Sequence, residues 1–115
     1  MQSKYDFCVR ENFLGQTTII FKEISQTTEF IKMILQVLGM YNFILKASQD
    51  IWQDNHICAM LDAPNGLVCM TIDTQKNIAF TASKNQSDIL FMESVLCKLY
   101  LFKKEIPEIP LFAAS

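Results

Sequence analysis

His56 is the only histidine of the chain, so any Cys-His or Ser-His chemistry must run through it. In "HICAMLDAPNGLVCMTID", residues 56–73, it stands just before Cys58. If the segment folds as a hairpin with Asp62 facing Leu67, it lies opposite Asp73, with Cys69 on the same face. A thiol nucleophile, an imidazole base and a carboxylate to orient it are the parts of a catalytic triad. No glycine-rich loop for an oxyanion or a phosphate accompanies them, and as metal ligands the set lacks a fourth member. His56, Cys58, Cys69 and Asp73 are thus the chemistry-bearing candidates of a sequence that otherwise reads as non-catalytic, with no metal and no cofactor expected.

The remaining reactive residues have structural explanations. Asp62 and Asn65 fit turn chemistry, Asp88 fits a helix start, and Asp50, Asp54, Asp73 and Glu93 show no spacing that brings two carboxylates together. Cys8 and Cys97 complete the four cysteines; no C-x-x-C occurs, and reduced, mostly buried thiols are expected. Met33, Met60, Met70 and Met92 fall at core spacing.

The elements that must position these residues follow from periodicity. "YDFCVR" (5–10) and "TTIIFKEI" (17–24) read as strands around a Gly15 turn. From Ser25 the period becomes helical, with Phe30, Met33, Ile34, Val37 and Leu38 on one side, Ser25 or Thr27 as cap and Gly39 as left-handed terminator. "YNFILKA" (41–47) predicts a strand, with "SQDIWQDN" as a connection or an edge continuation. The 56–73 hairpin follows, with either Asp62 or Pro64 facing Leu67, then a strand at 78–83 after the polar "TQKN", and a helix from Ser87 to about Lys104. The expected fold is α+β: a mainly antiparallel sheet, order β-β-α-β-β-β-β-α, with two helices packed on one face. Residues 1–105 read as a single domain and 106–115 as an extended tail, in which Pro107 and Pro110 align Ile106, Ile109 and Phe112.

Both hairpin registers have one parity and give the same faces. Ile57, Ala59, Leu61, Val68, Met70 and Ile72 make a core face. His56, Cys58, Met60, Leu67, Cys69 and Thr71 make a second, also mostly apolar face, and the expected continuation adds Ile78, Phe80 and Ala82 to it. The last helix is apolar nearly all round, with Leu90, Cys97 and Leu101 opposite the Phe91, Met92, Val95, Leu99 and Phe102 stripe. Met60, Leu67, Phe80, Leu90, Cys97 and Leu101 are therefore the expected interface residues. A second copy (a homodimer), another protein partner, the tail or the Trp52 loop would cover the spare face.

Composition narrows the rest. The chain has 115 residues, half of them apolar, and a formal charge of −2 without a basic patch, which argues against nucleic-acid binding. Neither a signal peptide nor a membrane span is read from its pattern, so a cytoplasmic location, in a cell or a host cell, is expected. Small immunity proteins, dedicated chaperones and inhibitors share this physical character.

The run helix, strand, hairpin, strand, helix over residues 27–102 resembles the layout of the small bacterial S-adenosylmethionine decarboxylases. That resemblance implies a small enzyme or ligand-binding domain with a pocket at a subunit interface, around His56, Cys58, Cys69 and Asp73. The family cleaves itself at a serine to make a pyruvoyl group, and the 56–73 hairpin contains no serine, so the activity does not carry over. In size, charge and two-faced apolar sheet the chain is also similar to the acidic dimeric chaperones of secreted bacterial effectors. Those usually begin with a helix, whereas this chain begins with predicted strands.

Overall fold

Alternation of large apolar with small or polar residues builds the strands, and the computed structural model, which describes residues 5–12, 14–51 and 56–105, places them in one sheet. The elements are β1 Tyr5–Glu11, β2 Thr17–Phe21, α1 Thr27–Gly39, β3 Ile44–Ile51, β4 His56–Ala63, β5 Gly66–Ile72, β6 Ile78–Thr81, α2 Gln86–Lys98 and β7 Phe102–Lys104. The seven strands lie in the order β3-β4-β5-β6-β2-β1-β7. All neighbours are antiparallel except β1 and β7. This is an α+β fold with a mostly antiparallel sheet and two helices. Residues 52–55 and 106–115, on which the covering roles of Trp52 and the tail rest, lie outside the described residues.

The core lies between one sheet face and the helices. Phe7, Ile19, Phe21, Leu61, Val68, Met70, Ile78 and Phe80 from the strands share one buried cluster with Phe30, Ile34 and Leu38 of α1 and Ile89, Met92 and Leu96 of α2. Phe21 is its aromatic hub, with ring centroids 4.8 Å from Phe30, 5.6 Å from Phe7 and 5.8 Å from Phe102. Burying side chains of this size contributes about 1.5–3 kcal/mol each, which makes the cluster the dominant stabilising term.

The hairpin adopts the Asp62–Leu67 register, closed further by Ala63 opposite Gly66. Gly66 has φ +154, and a Cβ there would come within 3.0 Å of Asn85 Cγ, so the position needs glycine. The turn is tied to α2 by Asp88, which is buried at the first turn of the helix. Its carboxylate accepts hydrogen bonds from the Asn65 backbone N–H at 3.0 Å, Asn65 Nδ2 at 2.9 Å and Asn85 Nδ2 at 2.7 Å. What reads locally as a helix-start acid is therefore a long-range staple.

Three expectations are corrected. Phe80, expected on the second face, pairs with Met70 and is fully buried on the helix side, together with Ile78 and Ala82. The cause is loop parity. Asp73 N–H bonds Asn77 C=O at 3.1 Å across a short loop in which Lys76 takes a left-handed φ of 64°, so Asp73 pairs with Asn77 and every later side chain turns over. Leu101, expected on the last helix, lies outside it: α2 stops at Lys98 and Leu99 is extended. Phe102 is buried as part of β7, which runs parallel to β1, with Tyr5 N–H bonding Leu101 C=O at 2.9 Å. Lys103 and Lys104 are accordingly strand residues, and Lys104 Nζ pairs with Glu93 of α2 at 2.7 Å, which raises its pKa. The third concerns Gly39, which ends α1 without a left-handed φ; Asn42, at φ 69°, makes that turn instead.

Candidate functional site

The second face of the sheet is where the uncommitted residues gather. Strand pairing sets Arg10, Thr18, Thr81, Cys69 and Met60 side by side in one row. Cys8, Ile20, Ala79, Thr71 and Cys58 form the next. A third, shorter row holds Leu67, Asp62 and Ile44. Cys58, Met60, Cys69, Thr71, Ala79, Thr81, Ile20 and Thr18 are half-buried, whereas Leu67 and Ile44 are exposed. Both helices lie on the other side, so no described helix covers this face. Arg10 and Lys22 are exposed towards its β1–β2 side and Asp62 on β4.

Within the face, Cys58 and Cys69 come together. Cys58 pairs with Thr71 and Cys69 with Met60, so the two cysteines are diagonal neighbours on adjacent antiparallel strands, and their Sγ atoms are 3.0 Å apart. All four thiols are free. Burial first, then the hydrogen bond shared with Cys58 and that neighbour's charge, push the Cys69 thiol up to about 12. Cys69 therefore keeps its proton across the neutral range, the opposite of an activated nucleophile.

The rest of the expected triad is differently employed. Asp73 Oδ1 accepts the backbone N–H groups of Gln75 at 2.9 Å and Asn77 at 3.0 Å, and Oδ2 accepts Asn77 Nδ2 at 3.0 Å. Its carboxylate shapes the β5–β6 turn, as an Asx turn does. His56 opens β4, and its side chain lies outside the described ones. Among the described residues no group of three or more His, Cys, Asp or Glu side chains is arranged to hold a metal ion. A shallow, open depression of about 440 Å³ lies at one end of the face between Ile20, Lys22, Thr71, Asp73, Asn77 and Ala79.

Of the residues expected at an interface, Met60 and Leu67 lie on this open face and Phe80 does not. Leu90 and Cys97 are exposed on α2, whose buried side is Ile89, Met92, Val95 and Leu96, so that helix is covered on one side only. Phe91 is partly sheltered, its ring stacked on Phe43 with centroids 6.3 Å apart. Sequence reasoning placed Cys58 and Cys69 on one face but missed their contact, because parity alone does not say which residues are diagonal neighbours.

Compared with known proteins, the chain matches no family model, no curated protein and no solved structure. Among the described residues no helix is long and apolar enough to cross a membrane. The open face and its thiol pair are what the molecule itself offers to a functional reading.

Proposed function

We propose that this protein is a small non-catalytic protein-binding module, of the physical kind of immunity proteins, chaperones and inhibitors, that self-associates through the open sheet face. The observation that carries the reading is the pair of rows of largely uncharged side chains on a face that no described helix covers. Contiguous apolar surface that a chain leaves exposed marks interfaces, and Cys58, Met60, Cys69, Ile20 and Ala79 are the apolar part of this face. A sheet face that no described helix covers matches a second sheet stacked about 10 Å away.

A second copy of this chain supplies such a sheet, and charge favours it. A two-fold axis along the strands exchanges the sheet's edges, which brings the Arg10 side of one copy over the Asp62 side of the other. With a net charge of only −2, two copies repel weakly.

Light scattering across a dilution series tests this. The expected result is a dimer that dissociates on dilution, and an Ala79→Arg variant that is monomeric with unchanged circular dichroism, because Ala79 lies mid-row and a long cation there reaches into water in the monomer. A wild-type monomer at every concentration, or a dimer that survives Ala79→Arg, would overturn the proposal.

A further inference from the structure

Cys58 and Cys69 carry chemistry that docking does not require. We propose that they form a reversible dithiol–disulfide site, closed by exchange with a low-molecular-weight disulfide of the glutathione type. The inference rests on the sulfur geometry and not on self-association.

Three observations meet at this pair. The Sγ atoms are 3.0 Å apart, within about 1 Å of a covalent S–S bond. β4 and β5 are already hydrogen-bonded in fixed register, so the cysteines belong to neighbouring strands held side by side. Both thiols are half-buried on the face that no described helix covers, so among the described residues they are reachable by a small disulfide. The other two cysteines lie elsewhere: Cys8 is on β1, beyond β6 and β2 from the pair, and Cys97 is exposed on α2.

The exchange balances in two steps. The Cys58 sulfur attacks the small disulfide RSSR: a bond forms between Cys58 Sγ and one RS sulfur, the RS–SR bond breaks, and the departing RS⁻ takes up the proton Cys58 has lost. Cys69 Sγ then attacks Cys58 Sγ. The Cys58–Cys69 bond forms, the mixed disulfide breaks, and the second RS⁻ leaves with the proton from Cys69. Two protein thiols are oxidised and one small disulfide is reduced to two thiols. Burial holds the proton on Cys69, and the hydrogen bond and charge of Cys58 add to it. Capping Cys58 as a mixed disulfide removes its charge, so one of the influences that hold the Cys69 proton is gone at the step that needs the thiolate.

The test uses the full chain at dilutions where light scattering reports a monomer. It is incubated in glutathione mixtures of increasing oxidised fraction, quenched with acid, alkylated and mapped as peptides by mass spectrometry. The expected result is a species lacking two hydrogens in which the Cys58 and Cys69 peptides are joined, reopened by dithiothreitol, with Cys8 still alkylated. Cys69→Ser should instead accumulate a glutathione adduct at Cys58, persisting at least about tenfold longer than in the wild type. Wild-type Cys58 and Cys69 that remain separately alkylated in the fully oxidised mixture would overturn the proposal. So would a wild-type Cys58 adduct as persistent as that of Cys69→Ser. The wild-type map decides the matter even if the variant does not fold.

Discussion

The helix-covered and open faces of the sheet are made by alternate residues of the same strands, yet they are built from different side chains. Along β2, Ile19 and Phe21 enter the core while Thr18 and Ile20 face outward; along β5, Val68 and Met70 enter while Cys69 and Thr71 do not. The covered face carries the large aromatic and aliphatic groups that interdigitate with helices. The open face carries Thr, Ala and Cys with Ile20 and Met60, all half-buried except Cys8, which is buried. Polarity and side-chain volume both distinguish the two faces: the buried cluster of the covered one is apolar throughout, and the open one mixes Thr18, Thr71, Thr81, Arg10 and Asp62 with its smaller apolar groups.

Removing volume from each face at adjacent residues separates the two most strongly. Phe80→Ala should cost about 3–5 kcal/mol of unfolding free energy in urea titrations, because it empties a fully buried site. Thr81→Ala, next along the chain but on the open face, should cost less than about 1 kcal/mol. Near-equal losses would mean that the open face is packed after all.

A smaller effect is expected from loosening what fastens the helix layer to the sheet. Asp88→Ala removes the acceptor shared by Asn65 and Asn85 and should cost about 2 kcal/mol in the same titration. Amide exchange should rise at the β4–β5 turn and the start of α2 more than in β1 and β2.

A pH dependence to which the open face contributes is also expected. Cys69 rises from its ordinary 9.0 to about 12 on folding, so in alkaline solution the folded chain holds a proton that the unfolded chain has lost. Its contribution to stability is complete below pH 9.0 and is lost as pH rises from there through about 12. Urea midpoints measured across that range should fall with pH in the wild type and fall less in Cys69→Ala.

Much of this was legible beforehand, in particular places. The hairpin's two faces followed from Asp62 or Pro64 opposite Leu67, since both registers share a parity. α1 followed from the helical spacing of Phe30, Ile34 and Leu38. The β5–β6 loop misled because "TQKN" looks like the whole connection, while Asp73 belongs to the turn and pairs with Asn77. The end of α2 misled because Leu99 and Phe102 continue a plausible helical stripe; the burial of Phe102 in β7 beside β1 is a contact between opposite ends of the described chain. Asp73, expected opposite His56, shapes the β5–β6 turn, and Asp88, expected only at a helix start, proves to be a long-range staple.

The sequence by itself determined the α+β class, the helical identity of residues 27–39 and the inward set of β4 and β5, because periodicity and turn chemistry are local properties of the chain. Tertiary structure alone decided that Phe80 points inward, that α2 yields to β7, and that two of the four cysteines come into contact on the open face. Each of these depends on loop parity or on pairing between distant segments, and neither is written in any short run of residues.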